Sequence, residues 1–491
     1  MKLSHMTAWQ LKDLLESKEV SCREIMLSVL DEIEINEPKV QAYITIRDRD
    51  ELLSEAEKID ERRLNGDNIG KLAGLPVAVK DNVCTKGLLT SCASKMLSNF
   101  IPTYNATIID KICSADGIIL GKTNLDEFCM GSSTEKSSFK ITHNPHNLDY
   151  VPGGTSGGSA AAVAANETIL SIGVDTGGSI RQPASYCGAV GMKPTYGSVS
   201  RYGIIAYGSS LDQAGPITKD IKDAALLMQV ISGHDPRDST SAAPNRDQDK
   251  HSDMGSLDIS KKLRIGVPKE YFGEGLDVDV KKSVEKAISL FQDDGHEIVP
   301  ITLPHTEFAI PAYYIISCSE ASSNLSRYTG VHFGFRTDDY KSIEEMIMKS
   351  RSEGFGPEVQ TRILLGTYAL SEGYYDAYYL KAAKIRTLLK QDFENAFKLC
   401  DVIAHPVAPG PAFKIGEKMD ANPMTMYLVD IYSVIANLTG LPAISVPCGW
   451  AADNLPIGIQ LTGKHFAEPT LLSAGYIIEQ LLKKSGVWQL S

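Results

Sequence analysis

Amphipathic helical segments alternate with short apolar runs along most of this chain, and this alternation constrains its fold more than any other feature of the sequence. At residues 107–124 a helical pattern stops at Gly117, and an apolar run follows from Ile118 to Leu120. From residue 263 onward a predicted strand, a helical pattern over 278–295 and a second predicted strand follow in β-α-β order. Such alternation is typical of α/β proteins, in which helices cover a central sheet.

The chain has 491 residues, of which 43% are apolar, so it can bury a large core. This length alone would favour two or three domains, although large single α/β domains also occur. We predict one domain over residues 1–491, beginning with a helical segment over about 1–65. A polar stretch over about 234–262 lacks apolar periodicity and predicts an exposed connection.

The net charge of the chain is −12 at pH 7, which disfavours partners that are themselves negatively charged. An acidic surface repels nucleic-acid phosphates and disfavours a dedicated RNA-binding role for this chain alone.

Nine cysteines are scattered without a C-x-x-C pair, which indicates free thiols in a reducing compartment and no zinc site. The N-terminus predicts an amphipathic helix, not a secretory signal, and no apolar run reaches the length of a membrane span. We therefore expect a cytoplasmic protein.

The first of two glycine-rich segments, VPGGTSGGSAAAVAA at 151–165, contains the pattern G-x-S-x-G around Ser156. This pattern matches the nucleophile elbow of α/β-hydrolases, in which Ser156 would attack the substrate. The elbow chemistry needs a histidine base from a later loop, and His405 and His465 are available. It would leave Lys80 and the second glycine-rich segment without a role.

The second glycine-rich segment, VDTGGSIRQPASYCGAVGMKPT at 174–195, places Ser179 directly after Gly177 and Gly178. Consecutive glycines let the backbone approach a ligand and direct successive N–H groups at one anion, such as the oxyanion of acyl transfer. A hydroxyl directly after them is well placed to be the nucleophile. Composition alone equally allows a tight turn without chemistry.

Three further features bear on the location of a site. GIILGKT at 117–123 ends as a phosphate-binding loop does, but its first glycine is one residue too close and the run before Gly121 is itself a predicted strand. The S-x-x-K pattern at 133–136 is too common to indicate a function, and no K-T-G follows it. Lys80, in contrast, ends the apolar run of 72–82, so we expect it to be buried at the end of a strand.

Three blocks together resemble the amidase signature family: GLPVAVKDN around Lys80, GGTSGGSAAAVAA at 153–165, and DTGGSIRQPASYCGAVGMKPT at 175–195. The resemblance extends over essentially the whole chain. It implies the amidase signature fold, an α/β fold whose central mixed β-sheet is covered by helices on both faces. Further blocks, including KTNLDEFCMGSSTE, RILLGTYALSEGYYDAYY and YLVDIYSVIANLTGLPAISVPCG, resemble one branch of the family, the glutaminase subunits of tRNA-dependent amidotransferases.

The resemblance implies a catalytic triad of a serine, a bridging serine at a cis peptide and a lysine. The nucleophile corresponds to Ser179 and the lysine to Lys80, but the bridging position holds Thr155. Threonine keeps the hydroxyl, adds a methyl group and stiffens χ1. We expect Thr155 to relay the proton; relay by the adjacent Ser156 and a site without activity are the alternatives.

The implied chemistry requires a neutral lysine, which burial favours because it disfavours the charged form. Neutral Lys80 would take a proton from the relay hydroxyl, which takes one from Ser179 as it attacks the amide carbon. The oxyanion would face the backbone N–H groups of Thr176, Gly177, Gly178 and Ser179.

Glutamine is the substrate that the branch implies. Arg362 corresponds to the contact for the α-carboxylate, which suits the two-pronged guanidinium. Asp430 corresponds to the contact for the α-ammonium, and Tyr313 contributes to the same pocket.

The branch also implies two partners, the B and C subunits of the amidotransferase. The B subunit would bind the misacylated tRNA, ATP and Mg²⁺ and amidate the glutamate on the tRNA with the released ammonia. The present chain would hold no metal or cofactor of its own. A stand-alone amidase of small amides and an amidase-like scaffold with a dead site are the alternatives.

Overall fold

The computed structural model describes residues 2–243, 254–418 and 426–488. Within these ranges the strands are β1 Tyr43–Ile46, β2 Pro76–Lys80, β3 Ile118–Thr123, β4 Leu170–Asp175, β5 Val190–Lys193, β6 Gln213–Thr218, β7 Arg264–Pro268, β8 Glu297–Ile301, β9 Val402–Pro406, β10 Ala443–Ala451 and β11 Leu455–Gly463. They form one sheet in the order β1-β3-β2-β4-β6-β5-β10-β11-β9-β7-β8. The pairs β2–β3, β2–β4, β7–β8 and β7–β9 are parallel and the other pairs are antiparallel. The predicted α/β class with a mixed sheet is confirmed.

Fourteen α-helices lie wholly within the described ranges. They are α1 Ala8–Glu16, α2 Cys22–Val40, α3 Arg49–Leu64, α4 Thr107–Ser114, α5 Gly157–Ala164, α6 Arg181–Tyr186, α7 Ile221–Ile231, α8 Val278–Asp293, α9 Ala309–Asn324, α10 Ile343–Gly354, α11 Pro357–Leu370, α12 Lys381–Leu399, α13 Val434–Thr439 and α14 Glu468–Lys484. Successive side chains of a strand point to opposite faces of the sheet, and every residue of β2, β3 and β4 is buried. Both faces of the sheet are therefore covered where these strands lie.

The β-α-β unit predicted after residue 263 is confirmed, because β7 and β8 are parallel neighbours joined through α8. Helix α8 ends before Gly295, whose φ of 85° is the left-handed conformation that glycine adopts at helix ends.

Two details of the sequence prediction are wrong. The N-terminal segment is not helical throughout, because Tyr43–Ile46 forms β1 and pairs with the edge of β3, a contact that local periodicity does not reveal. Helix α4 is stopped by Asp116, with a φ of 60°, and not by Gly117. The carboxylate of Asp116 accepts the N–H of Gly70 at 2.6 Å and pairs with Arg62, which stabilises this turn.

The polar connection predicted over 234–262 is exposed only in part. Its described residues, 234–243 and 254–262, contain no helix or strand, and residues 244–253 lie outside the described ranges. Asp235 is buried and accepts hydrogen bonds from the hydroxyls of Thr107 and Ser200. Met254 is also buried in the main core. The connection therefore packs against the domain at both of its described ends.

The sheet brings the two glycine-rich segments to one place. β2 and β4 are parallel neighbours, so Lys80 at the end of β2 and Asp175 at the end of β4 lie at the same edge of the sheet. The turn of residues 176–179 follows β4 directly, and the loop before α5 lies against it. In the described part of the chain, no helix is both long and apolar enough to cross a membrane.

Candidate active site

Lys80 lies at the centre of a hydroxyl cluster. Its Nζ is 2.6 Å from Oγ1 of Thr155, 2.9 Å from Oγ of Ser156 and 3.0 Å from the carbonyl oxygen of Val174. The side chain is fully buried, as the sequence predicted. Burial lowers the pKa of Lys80, although the charges of nearby groups, Cys129 first among them, act against this shift. The neutral amine that a general base requires is therefore favoured here.

The loop before α5 carries both candidate relay residues. The Gly154–Thr155 peptide bond is cis, the conformation that the resemblance implied at this position. The N–H of Ser156 donates to the carbonyl oxygen of Ser179 at 3.0 Å, which holds the two glycine-rich segments together. The N–H of Gly154 donates to the side chain of Gln182 at 2.9 Å and ties the same loop to α6.

The nucleophile-elbow alternative requires a histidine beside Ser156, and within residues 2–243, 254–418 and 426–488 no histidine forms a hydrogen bond with Ser156. The hydroxyl of Ser156 contacts Lys80 and the backbone of Val174. His405 is buried in β9, contacts Pro406 and Thr462, and burial lowers its pKa to about 3. His465 contacts the carbonyl oxygen of Thr439. The titratable side chain that contacts Ser156 is thus Lys80, which agrees with the amidase interpretation.

The turn that precedes Ser179 has no room for side chains. A Cβ at Gly177 would lie 2.4 Å from the hydroxyl of Tyr313, and a Cβ at Gly178 would lie 2.2 Å from the hydroxyl of Ser433. The φ of Gly178 is 130°, which residues with side chains rarely adopt. The same contact places Tyr313, one of the predicted substrate residues, directly over the turn.

The predicted oxyanion hole is only partly free. The N–H of Gly178 donates to Oδ1 of Asp175 at 2.7 Å, so this donor is already occupied. Among the described residues, the N–H groups of Gly177 and Ser179 have no hydrogen-bond partner. The hydroxyl of Thr176 donates to Asp212 at 2.6 Å. The N–H of Thr176, like those of Gly177 and Ser179, has no partner among the described residues, so the prediction of an oxyanion hole depends on these three N–H groups.

A buried ion pair between Arg181 and Asp175 stabilises the turn of residues 176–179. Arg181, the first residue of α6, donates to both carboxylate oxygens of Asp175 at 3.1 Å, and Asn437 donates to the same carboxylate. Burial acts to raise the pKa of Asp175, but the guanidinium of Arg181 keeps it below its usual value. The carboxylate stays ionised and can hold the N–H groups of Gly178 and Ile180.

Arg362 lies on the inner face of α11 and is almost fully buried. Its Nη1 donates to the hydroxyl of Tyr207 at 2.7 Å, and its Nε donates to Glu358 at 2.8 Å. The guanidinium also lies 5.2 Å from the ring centre of Tyr314 and 5.6 Å from that of Tyr427. This aromatic enclosure holds a positive charge away from water.

Asp430 completes the second part of the predicted pocket. Its Oδ2 accepts a hydrogen bond from the hydroxyl of Ser132 at 2.8 Å. Burial raises the pKa of Asp430 to about 7, although the Ser132 hydrogen bond and the charge of Arg362 act against this shift. Ser433, three residues later, donates to the carbonyl oxygen of Gly177 at 2.6 Å and so connects this segment to the catalytic turn.

Several residues of the site were missed by the sequence analysis. They are Ser132 beside Asp430; Tyr207, Glu358, Tyr314 and Tyr427 around Arg362; and Cys129, whose thiol lies beside Lys80 and Thr155. Burial raises the pKa of the Cys129 thiol to about 11, so it adds a neutral group to the lysine pocket. Ser132 and Cys129 belong to the quoted block KTNLDEFCMGSSTE, which was the available signal for them.

The rejected motifs have structural roles. Lys122 of the GKT sequence lies inside β3 and pairs with Asp81 at 3.2 Å in the core, so no loop surrounds a phosphate there. Lys136 of the S-x-x-K pattern pairs with Glu358 at 2.6 Å. No cluster of potential metal ligands occurs among the described residues.

The structure places the buried Lys80 next to two hydroxyl groups and a glycine-containing turn, as the resemblance to amidases predicted. The family model described as Amidase matches residues 24–472. The chain belongs to the amidase family, as the three sequence blocks indicated.

The relatives within the family are more specific. The chain is 54% identical to the A subunit of glutamyl-tRNA(Gln) amidotransferase from Desulforamulus reducens, over 98% of both chains. It is 53% identical to the A subunit of the same enzyme from Moorella thermoacetica, over 98% of this chain and 97% of the relative.

Solved structures agree with the fold. The A subunit of glutamyl-tRNA(Gln) amidotransferase from Thermotoga maritima, known from a crystal structure, is 38% identical, with a TM-score of 0.79, and the match covers 98% of this chain and 95% of that one. The peptide amidase of Stenotrophomonas maltophilia is 28% identical, with a TM-score of 0.80 and 97% coverage of both chains. The amidase signature fold predicted from the sequence is thereby confirmed.

Proposed function

We propose that this chain hydrolyses glutamine through an acyl-enzyme on Ser179 and supplies the ammonia to a glutamyl-tRNA(Gln) amidotransferase. The observation that carries the proposal is that a buried arginine and a buried aspartate, Arg362 and Asp430, lie close enough for their charges to interact, and that Ser433 joins the segment of Asp430 to the turn after β4. Such a pair matches the α-carboxylate and α-ammonium of a free amino acid. The more general amidase chemistry is supported by the contact between Lys80 and Thr155.

The hydrogen bonds available to Nζ of Lys80 favour Thr155 over Ser156 as the residue that relays the proton. A neutral amine has two N–H donors and one lone pair. The carbonyl oxygen of Val174 can only accept, so it takes one N–H. Ser156 accepts the N–H of Val174 and can direct its own proton to the carbonyl oxygen of Val174, which leaves it to accept the second N–H of the lysine. The lone pair then faces the hydroxyl of Thr155 at 2.6 Å.

The proton path follows from this arrangement. As the hydroxyl of Ser179 attacks the amide carbon, its proton passes to Oγ1 of Thr155, and the proton of Thr155 passes to Nζ of Lys80. The unengaged N–H groups of Thr176, Gly177 and Ser179 stabilise the oxyanion of the tetrahedral intermediate. When the intermediate collapses, the protonated lysine returns a proton by the same path to the leaving ammonia, and water then hydrolyses the acyl-enzyme. Ser156 in this scheme orients the amine and carries no proton.

The glutamine pocket uses the remaining groups. Arg362 would pair with the α-carboxylate, and Asp430 with the α-ammonium of the substrate. Tyr313, which lies over Gly177, would contact the substrate between these two charges and the turn. Because the pKa of Asp430 is raised to about 7, binding of the ammonium also stabilises the ionised form of this carboxylate.

The partners follow from the names of the relatives, which are components of an amidotransferase. We propose that this chain assembles with the B and C subunits, and that the misacylated tRNA, ATP and Mg²⁺ are bound by the B subunit. The chain itself is proposed to use no metal or cofactor and to work in the cytoplasm.

Glutamine hydrolysis by the purified chain, alone and together with the charged tRNA and the B and C subunits, tests the proposal. We expect release of glutamate and ammonia that increases with the partners, and loss of release in Ser179→Ala. Arg362→Ala should raise the KM for glutamine while hydrolysis of a small aliphatic amide changes little. Hydrolysis of small amides without hydrolysis of glutamine under all of these conditions would instead indicate a stand-alone amidase.

A further inference from the structure

Lys136, the last residue of the S-x-x-K pattern, is connected to the glutamine pocket through Glu358. Its Nζ lies 2.6 Å from Oε2 of Glu358, whose Oε1 accepts the Nε–H of Arg362 at 2.8 Å. The side chain of Lys136 is 25% exposed and that of Glu358 is 16% exposed, whereas Arg362 is almost fully buried. The three charged groups therefore form a row that runs inward from the surface, and water screens it less than an exposed ion pair.

The backbone of Lys136 is held close to the catalytic residues. Asp126 is fully buried, and its carboxylate accepts three backbone N–H groups. They belong to Ser133, Thr134 and Lys136. The hydroxyl of Thr134 donates to the carbonyl oxygen of Gly153 at 2.7 Å, in the first glycine-rich segment. Lys136 therefore extends toward Glu358 from a backbone that is joined to the active site.

Arg362 has more N–H donors than its neighbours in the protein use. A guanidinium carries five N–H groups. Nε of Arg362 donates to Glu358, and Nη1 donates to the hydroxyl of Tyr207. Among residues 2–243, 254–418 and 426–488, Nη2 has no hydrogen-bond partner, so its two N–H groups are available to a ligand. These donors can bind a substrate carboxylate.

The second oxygen of Glu358 determines whether Nη2 of Arg362 stays available. A carboxylate and a guanidinium frequently form two parallel hydrogen bonds, and in that arrangement Oε2 of Glu358 would pair with Nη2. Here Lys136 engages Oε2, and only Oε1 contacts Arg362. Burial acts to raise the pKa of Glu358, but the charges of Arg362 and Lys136 keep it below its usual value. The carboxylate therefore stays ionised and holds both cations.

We propose that Lys136 is a positioning residue, which keeps Arg362 open to the α-carboxylate of glutamine by engaging Oε2 of Glu358. The inference rests on the proposed function, because it deepens the assignment of Arg362 to the glutamine pocket. Without the lysine, Oε2 of Glu358 turns to Nη2 of Arg362, and the substrate carboxylate has to displace it. Binding of glutamine then weakens, while the chemical step at Ser179 is unchanged.

Glutamine hydrolysis by the full chain together with the B and C subunits tests this role. We expect Lys136→Met to raise the KM for glutamine at least about fivefold while kcat changes less than about twofold. Lys136→Arg should restore a KM within about twofold of wild type, because it returns a cation to Oε2 of Glu358. A KM in Lys136→Met that stays within about twofold of wild type would overturn the proposal and leave the proposed function standing.

Lys140→Met is the matched control. Lys140 pairs with Glu37 at 2.8 Å, and the two side chains are 30% and 13% exposed, close to the values for Lys136 and Glu358. Because this ion pair does not contact Arg362, its loss should leave both KM and kcat as in wild type. A rise in KM equal to that of Lys136→Met would show a general effect of charge loss and would overturn the proposal.

Glu358→Gln separates the mechanism from a loss of packing. Glutamine at position 358 keeps an oxygen for Nε of Arg362, but its amide nitrogen cannot accept a hydrogen bond from Nη2. In the Glu358→Gln background we therefore expect Lys136→Met to change the KM less than about twofold. An equal effect of Lys136→Met in both backgrounds would overturn the proposal, because the lysine would then act independently of Glu358.

A ligand without the carboxylate gives a second readout. γ-Aminobutyramide has the amine and the amide of glutamine but no α-carboxylate, so it does not need Nη2 of Arg362. Its inhibition constant against glutamine hydrolysis should be the same in wild type and in Lys136→Met. Equal weakening of glutamine and γ-aminobutyramide would overturn the proposal. Absence of glutamine hydrolysis in the wild-type complex would instead overturn the proposed function itself.

Discussion

Thr155 occupies the position where the family resemblance implies a serine, and it keeps a hydroxyl next to Lys80. Its hydroxyl lies 2.6 Å from Lys80, and the structure accommodates its extra methyl group in a fully buried position beside Cys129. Threonine and serine present the same hydroxyl, so the proposed relay depends on the position of the oxygen atom and not on which of the two residues carries it. The hydrogen bond from the N–H of Ser156 to Ser179 holds the loop of Thr155 against the turn that follows β4.

Substitutions at the relay distinguish the two hydroxyls. We expect Thr155→Ser to keep kcat for glutamine within a few-fold, and Thr155→Ala to lower it by about 10²–10⁴-fold, the usual contribution of proton transfer. Ser156→Ala should lower kcat less than Thr155→Ala, because Ser156 only orients the amine. Steady-state glutaminase rates with comparable circular dichroism spectra check this. Full activity in Thr155→Ala, or a larger loss in Ser156→Ala, would contradict the assignment.

At the scale of the element, the positions of the helices around the site depend on close packing between helices. The 3.6-residue period of their apolar residues predicts the helices but not this packing. Helix α11 approaches α9 through Gly366, and this contact directs Arg362 into the pocket. The 3.6-residue period predicted the long helix α8 correctly. It missed β1, because a four-residue strand on the edge of a sheet is stabilised by its partner β3 and not by its own sequence.

Gly366→Ala tests the close contact between α9 and α11. The new Cβ would lie 1.9 Å from a backbone oxygen, so α11 has to move, and we expect a loss of about 1–3 kcal/mol in the free energy of unfolding. The KM for glutamine should rise as well, because Arg362 moves with the helix. Chemical denaturation and glutaminase kinetics measure both effects. Gly410→Ala is the control, since its Cβ would meet nothing within 4 Å, and an equal loss there would refute the packing explanation.

At the scale of the whole molecule, the sheet assembles a site from residues far apart in the chain. Parallel pairing of β2 and β4 sets Lys80 beside the turn of Ser179, and α9, α11 and the segment of Asp430 complete the pocket. A second property of the whole chain is its net charge of −12, because an acidic protein surface repels the phosphates of RNA.

Electrophoretic mobility shifts with glutamyl-tRNA(Gln) test this consequence of charge. We expect no retardation of the tRNA by the free chain at about 150 mM salt, and clear retardation once the B subunit is present, because the acidic chain offers few sites for phosphate contact. Salt-dependent binding by the free chain at micromolar concentration would show a local basic surface that outweighs the net charge.

The sequence by itself determined the α/β class, because alternating periodicity is a local property of the chain. The resemblance of its sequence blocks indicated the family and made Lys80 and Ser179 the candidates for the lysine and the nucleophile. The tertiary structure alone decided which neighbours those residues have. It placed Thr155 and Ser156 within hydrogen-bonding distance of one amine and enclosed Arg362 among three aromatic rings. Such contacts join segments separated by tens to hundreds of residues, so they depend on how the sheet and helices pack, and no local pattern specifies them.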